Sequence, residues 1–185
     1  MKVEISQSDL NKAKFMLAGI KGAYPRVLTR SINKALTGAR TDAVGEIAKD
    51  LNLTKTRIRK DFSTINANYS TLSGKLVSTG KPVGLIEFKA RQTKKGTGFQ
   101  VKKTGKRTVI SSAFIQTSNT AKNVFIRKRI SGKKRVARLP IERLSGPRIQ
   151  DIYAKPEIYD ATRGSGLARM AKEFDRLLDM ELKKL

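Results

Sequence analysis

The spacing of apolar residues predicts a mainly helical N-terminal part of the chain. A short alternating run precedes a cap at Ser8-Asp9, and apolar residues then follow at helical spacing as far as Gly22. Pro25 suits the first turn of a longer helix, whose apolar face continues for about 25 residues. Thr54 predicts the cap of a third, short and basic helix.

The last predicted helix begins near Ser165 and carries a long apolar stripe. Its acidic residues lie on the opposite side, among Lys and Arg. The apolar positions are Leu167, Met170, Ala171, Phe174, Leu177, Leu178, Leu182 and Leu185. Packing against the other helices is the expected role of this stripe, and a subunit interface is the alternative.

The middle of the chain carries β-branched and aromatic residues bounded by Gly, Pro and Lys-rich turns, which is typical of strands. A meander of about five strands is therefore predicted. The strands are expected at Leu72 to Thr79, Val83 to Ala90, Gly98 to Lys103, Thr108 to Gln116 and Asn123 to Arg129.

Together these elements predict a single α+β domain, in which helices from both ends pack on a central antiparallel sheet. Residues 1–62 form the helical part, 63–148 the sheet with a long basic hairpin at 89–107, and 149–185 a loop and the C-terminal helix. The Gly146-Pro147 step should end the sheet, because proline lacks a backbone donor and restricts the residue before it.

Positive charge is concentrated in the middle of the chain. The sequence has 40 Lys and Arg against 15 Asp and Glu, a formal net charge of +25. No acidic residue lies between Glu87 and Glu142, and those 54 positions hold 16 Lys or Arg. Such density repels itself unless an anionic partner or solvent takes up the field, which indicates nucleic acid or an acidic protein surface.

Two basic clusters and two tyrosines are the candidate partner-binding residues. The first cluster is Lys89, Arg91, Lys94, Lys95, Lys102, Lys103, Lys106 and Arg107, and the second includes Arg127, Lys128, Arg129, Lys133, Lys134 and Arg135. Tyr153 and Tyr159 are added because exposed tyrosine is enriched at interfaces, with burial as their alternative role. A solvated basic loop is the alternative for the first cluster, where glycines favour a flexible tip.

The hairpin 89–107 is expected to be extended or poorly ordered in the isolated subunit. Folding back would bring its positive charges onto a body that is itself net positive. A partner that removes this repulsion could offset the entropy cost of ordering the segment. Phe99 is the one aromatic residue in the hairpin, so the sequence does not favour a dedicated single-strand binder.

The residue inventory excludes several kinds of chemistry. Cys and His are absent, so the chain has no disulfide framework, zinc finger or His-activated nucleophile. Glu87-Phe88-Lys89 matches half of a metal-dependent nuclease signature on a strand, but the second carboxylate that this chemistry needs is missing. We therefore expect no catalytic residues, no cofactor and no metal. The sequence also lacks a run of about 18 apolar residues, which predicts a soluble chain made in a cytoplasm.

Several motifs resemble those of the minor tail protein Z family of tailed phages and prophages. They are the strand Ser112 to Gln116, the basic strand Val124 to Arg129, Leu139-Pro140-Ile141, and Leu144 to Pro147. A long Ala-rich helix after a proline and a short basic helix from Thr54 fit the same pattern. The resemblance covers about residues 8 to 150 and is strongest over 110 to 148.

The resemblance implies an α+β structural virion protein without enzymatic activity. It would be a tail completion or neck protein that forms a homo-oligomeric ring, expected to be sixfold, at the head-proximal end of the tail and helps head-tail joining. The implied partners are the tail terminator, tube and connector, with DNA as a further partner of the basic region and no membrane. Assembly would take place in the host cytoplasm. A nucleic-acid-binding protein acting outside a virion is the alternative.

Overall fold

Two long antiparallel helices form the helical layer of the protein. The computed structural model describes Asn11, Phe15 and residues 22–118, 121–127 and 139–183. Within this part, α1 spans Ala23–Asp50 and the C-terminal helix spans Pro156–Leu182. Three contacts fix their opposite directions: Arg26 with Glu181, Asp42 with Arg169, and Asp50 with Lys155. The predicted N-terminal strand lies outside the described residues, and so does the predicted first helix except for Asn11 and Phe15, which are helical.

The core lies largely between these two helices. From α1 it takes Ile32, Leu36 and Ile47, and from the C-terminal helix Met170, Phe174 and Leu177, all of them buried. The long helix expected after Pro25 is confirmed, and so is the packing role of the C-terminal stripe, except that Ala171 is exposed and Leu185 lies outside the described residues.

The C-terminal helix begins at Pro156, nine positions before Ser165 where the sequence places its start. Pro156 occupies the first helical turn, where its fixed φ and missing N–H are tolerated. The buried face continues through Thr162 and Gly166. These two residues are not strongly apolar, so the sequence shows no apolar stripe over the first turns of the helix. The buried face is nevertheless continuous in the structure.

A short helix, α2 (Lys55–Lys60), follows α1 as expected. The Thr54 hydroxyl oxygen accepts a hydrogen bond from the Arg57 N–H at 3.3 Å, which confirms the predicted cap. Ile58 is fully buried. The Arg57 guanidinium also pairs with the Asp61 carboxylate at 2.8 Å, so an ion pair fixes the polar side of this helix.

Antiparallel strands make up the rest of the fold and confirm the α+β class. Among the described residues they form three small sheets rather than one meander. The first pairs β1 (Phe62–Ile65) with β2 (Lys75–Ser78). The second has the order β3 (Arg91–Thr93), β4 (Gly96–Phe99), β5 (Thr108–Ser111), and the third the order β6 (Phe114–Ser118), β7 (Ala121–Arg127), β8 (Ile141–Arg143). β1, β3 and β8 were not predicted.

The strand expected over Val83 to Ala90 is wrong, because the chain forms a 3-10 helix at Leu85–Glu87. The N–H of Glu87 donates to the Gly84 carbonyl and that of Phe88 to the Leu85 carbonyl, both at 3.1 Å. The turn buries Phe88 completely, although its spacing from Leu85 does not follow the alternation of a strand.

The motif Leu144 to Pro147 packs directly against this turn. The Gly146 N–H donates to the Val83 carbonyl at 2.7 Å, and the Leu85 N–H donates to the Leu144 carbonyl at 3.2 Å. A Cβ at Gly146 would lie 2.7 Å from the Phe88 ring, so the close packing requires glycine there.

Two predicted strand boundaries move for local reasons. The run Thr108 to Gln116 breaks into β5 and β6 at Ser112, whose φ of 64° lies in the left-handed region. The strand expected over Gly98 to Lys103 ends at Phe99. Beyond it, the backbone pairs with the end of α1 instead of continuing the sheet.

The Gly146-Pro147 step ends the sheet as predicted. Strand β8 ends at Arg143, and a short helix, α3, begins at Ile149. α3 (Ile149–Tyr153) lies in the segment expected to be a loop, and α4 denotes the following helix, Pro156–Leu182. Ile149 is fully buried, so the short helix is anchored by tertiary packing.

Candidate partner-binding surface

The first basic cluster lies on the sheet β3-β4-β5, which folds back onto the C-terminal end of α1. The Asn52 N–H donates to the Val101 carbonyl at 2.8 Å, and the Lys103 N–H donates to the Asp50 carbonyl at 2.9 Å. The expectation that residues 89–107 stay extended or poorly ordered in the isolated subunit is therefore wrong. The backbone provides the attachment, so the charged side chains do not have to approach the body.

The two faces of this sheet differ in chemistry. On the inner face Thr97 is completely buried, while Phe99 and Ile110 pack against the core. The Gln92 side-chain oxygen accepts a hydrogen bond from the Ile115 N–H at 2.9 Å, which ties β3 to β6. Arg91 lies one position from Gln92 and therefore on the outer face.

Arg107 holds the outer face together. Its guanidinium donates to the Lys89 carbonyl at 2.9 Å and to the Gly98 carbonyl at 3.3 Å. A Cβ at Gly98 would lie 3.5 Å from the Arg107 side chain, so the arginine passes directly over this glycine. Both acceptors are neutral, and no carboxylate of the described residues pairs with Arg107.

Ion pairs in the described part of the chain are confined to the helical layer. They are Arg26–Glu181, Lys49–Glu46, Arg57–Asp61, Lys155–Asp50, Arg169–Asp42 and Arg176–Glu173. Within the described residues, no member of the first cluster has a carboxylate at ion-pairing distance. All eight are exposed, and we name them the basic face: Lys89, Arg91, Lys94, Lys95, Lys102, Lys103, Lys106 and Arg107.

The second cluster is represented by Arg127 at the end of β7. Its guanidinium carbon lies 5.0 Å from the centre of the Phe114 ring, a cation–π distance. Phe114 pairs across the strands with Phe125, with 6.2 Å between the ring centres. Lys128, Arg129, Lys133, Lys134 and Arg135 lie outside the described residues.

The structure places Tyr153 in the core and not on a partner-binding surface. It is 6% exposed, and its ring packs edge-on against Phe62 at 5.1 Å and against Tyr159 at 5.9 Å. Tyr159 is half-buried. Burial, followed by the charge of Tyr159, raises the pKa of Tyr153 to about 12. Its hydroxyl is buried without a hydrogen-bond partner among the described residues.

Replacing Tyr153 with phenylalanine should leave stability at neutral pH unchanged or raise it by up to about 1 kcal/mol, because the change removes an unsatisfied buried hydroxyl. The folded pKa is raised, so the unfolded chain releases this proton first. Stability linked to Tyr153 is therefore complete below pH 10 and is lost between pH 10 and about 12. Urea unfolding of both proteins across this range should show a steeper loss for the wild type. Parallel curves would contradict the assignment.

Three exposed apolar side chains beside the N-terminal half of α1 were not predicted. The side chains of Ile65 (57%), Tyr69 (63%) and Met180 (47%) are exposed there. The loop before Tyr69 is tied to α1 by Asn33, whose side-chain oxygen accepts from the Ala67 N–H at 2.8 Å. Met180 is placed by its neighbour Glu181, which pairs with Arg26 at 3.7 Å. We name these three side chains the apolar end.

The basic face and the apolar end are separated along α1. The apolar end adjoins the helix near residue 33, whereas the basic face is attached near residue 50. At 1.5 Å per residue, these positions are about 25 Å apart along the helix axis. In the sequence, the signal for the apolar end is limited to one tyrosine and one isoleucine within a polar stretch.

The structure gives no support to the nuclease signature. Glu87 lies on the 3-10 helix instead of a strand, and its side chain is exposed. Within residues 22–118, 121–127 and 139–183, no group of three or more Asp or Glu could hold a metal ion. No helix in this part of the chain is apolar and long enough to cross a membrane.

The described residues thus define an α+β protein with an exposed basic face. The chain belongs to the family described as prophage minor tail protein Z (GPZ), whose family model matches residues 9–185. It is accordingly a phage minor tail protein, and the resemblance found in its sequence motifs is confirmed. Searches of curated proteins and of solved structures found no match.

Proposed function

We propose that this chain is a tail completion or neck protein that forms a homo-oligomeric ring at the head-proximal end of the tail and helps join the head to it. Membership of the minor tail protein family supports a structural role in the tail. The observation that supports the finer assignment is the separation of the apolar end from the basic face along α1. A subunit with two different surfaces can contact a neighbour on one side and another component on the other.

Ring closure by head-to-tail contacts requires two distinct patches on each subunit. The apolar end is our candidate for one of them, because its three large apolar side chains are all exposed to solvent. The outer edges of the third sheet offer further contacts, since Ile141 on β8 is 38% exposed and Leu139 is 67% exposed. Sixfold symmetry, with the tail terminator, tube and connector as neighbours, is part of this proposal.

Replacing Ile65 with aspartate should prevent ring formation. The side chain is exposed, so the free energy of unfolding of the subunit should change by less than about 0.5 kcal/mol. A charge introduced into an apolar contact would be desolvated without a partner. Sedimentation velocity should then show subunits in place of rings. Thr56→Asp is the matched control, because it adds the same charge at an exposed position on α2, outside the apolar end.

Joining itself is tested in a phage that lacks this chain. We expect separate heads and tails to accumulate in electron micrographs, and the wild-type chain supplied from a plasmid to restore joined particles. Ile65→Asp should fail to restore them, whereas Thr56→Asp should succeed. Normal joining without the chain would contradict the proposal and favour a nucleic-acid-binding role outside the virion.

A further inference from the structure

We infer that the basic face binds the phosphate backbone of duplex DNA. The inference rests on the proposed function in one respect, the source of the DNA. The neck of a filled particle is where the genome meets the tail. The binding itself is argued from the surface.

The charge of the basic face is available to a partner. The sheet's own contacts use backbone groups, inner-face side chains and the Arg107 guanidinium, so they leave the lysine ammonium groups uncommitted. In contrast, the carboxylates Asp42, Asp50 and Asp61 of the helical layer are all engaged in ion pairs. An anion that approaches the basic face therefore meets cations that are not held in ion pairs, although Lys102 lines a pocket with the carboxylates Glu46, Asp50 and Glu157.

The composition of the face favours nucleic acid over an acidic protein. Six of its eight residues are lysines, and lysine is depleted in the cores of protein–protein interfaces, where aromatic residues are enriched. Phe99 is the one aromatic residue in the segment, and it packs on the inner side. Protein–DNA interfaces are more polar and much more positive than protein–protein interfaces.

The same observation favours double-stranded over single-stranded DNA. Single-strand binders present aromatic side chains on which bases stack, and none lies on the outer face of this sheet. A surface of ammonium groups contacts phosphates and reads no bases, so the binding should be independent of sequence.

The lysines occupy two turns at opposite ends of β4. Lys94 and Lys95 lie before the strand, whereas Lys102 and Lys103 lie after it. Seven to nine residues separate the members of the two pairs, so they lie at most about 32 Å apart. A duplex carries about one negative charge per 1.7 Å of its axis, so both turns can contact phosphates of one duplex.

Attachment to α1 fixes the second turn. The backbone of Lys102 bridges to Leu51, and that of Lys103 bonds to Asp50. Because this turn is already ordered in the subunit, DNA binding should not require folding of the segment. The affinity should then depend on the number of lysines, with little change in the secondary structure of the protein.

The test is the salt dependence of binding to a 30-bp duplex of random sequence, measured by fluorescence anisotropy. The site variant replaces Lys94, Lys95, Lys102 and Lys103 with Gln. The control variant makes the same change at four exposed lysines of the helical part and α2: Lys34, Lys55, Lys60 and Lys172. Both variants lose four charges. Circular dichroism melting should show that both remain folded.

Each phosphate contact contributes about −0.9 to the slope of log K against log salt. The site variant should therefore lose about 3 to 4 units of slope, while the control variant should keep the wild-type slope. Equal losses in the two variants would overturn the inference, because the total charge of the chain would then hold the DNA. Absence of wild-type binding would also overturn it. So would displacement of DNA by polyglutamate at equal charge concentration, which would assign the face to an acidic protein.

Failure of this inference is distinguishable from failure of the proposed ring. Ring assembly is measured by sedimentation without DNA, and the site variant should form rings as the wild type does. Rings without DNA binding would remove the inference and keep the proposed function. DNA binding by a chain that forms no rings would keep the inference and remove the proposed function.

Discussion

Replacing Phe174 with alanine should lower the free energy of unfolding by about 3–5 kcal/mol, the range for a large buried aromatic side chain. The residue is 5% exposed and belongs to the core formed by α1 and α4. Removing the ring leaves a cavity between two long helices that cannot easily close around it. Urea denaturation followed by circular dichroism at 222 nm measures the change.

Met180→Ala on the same helix is the control, because Met180 is 47% exposed and should cost less than about 1 kcal/mol. If Phe174→Ala unfolded at the wild-type urea midpoint, the α4 stripe would not be packed on α1 within the subunit. The stripe would then be a contact between subunits or a solvent-exposed face.

Gly96→Ala should destabilise the sheet β3-β4-β5 by about 2–5 kcal/mol, combining backbone strain with overpacking. Gly96 has a φ of +148°, which side-chain-bearing residues rarely adopt. A Cβ there would also collide with the Ile110 carbonyl, lying 2.9 Å from its carbon atom. Hydrogen exchange should show the loss in residues 91–111, with α1 and α4 less affected.

Gly45→Ala provides the opposite control, since a Cβ at Gly45 in α1 would have no atom within 4 Å. Alanine is the better helix former, so this variant should gain about 0.5–1 kcal/mol. A neutral Gly96→Ala substitution would show that the strand is not held in the geometry described, and the position of the basic face would have to be reconsidered.

The helices were the part of the fold that the sequence predicted best. The length of α1 and the cap at Thr54 follow from local signals that tertiary packing reinforces. The start of α4 was misplaced because Thr162 and Gly166 are buried without being strongly apolar. Burial of small residues depends on how closely two helices approach, which periodicity does not report.

The sheets were predicted less well because their boundaries depend on contacts distant in sequence. The turn at Leu85–Glu87 packs against Leu144 to Pro147, and no pattern in the local sequence predicts that contact. Ser112 breaks a continuous β-branched run through a single left-handed residue. Each short strand is selected by its neighbours more than by its own propensity.

Charge reasoning identified the basic face but not its conformation. The absence of acidic residues between Glu87 and Glu142 can be seen in the sequence alone, so the basic residues could be identified directly. We expected charge repulsion to keep residues 89–107 away from the rest of the subunit. The backbone hydrogen bonds at Asp50 and Asn52 instead attach the segment without bringing its charged side chains inward. For Tyr153, burial, the alternative that the sequence left open, is the role found.

The position of the chain in the particle is the most direct test of the proposed function. Cryo-electron microscopy of joined phage particles can locate the long antiparallel helices α1 and α4. Helix α1 has 28 residues and is about 42 Å long. The account predicts a closed ring of these helix pairs between the head connector and the first tube ring. Helix pairs found at the distal tip or along the tube, or a single copy without ring symmetry, would contradict it.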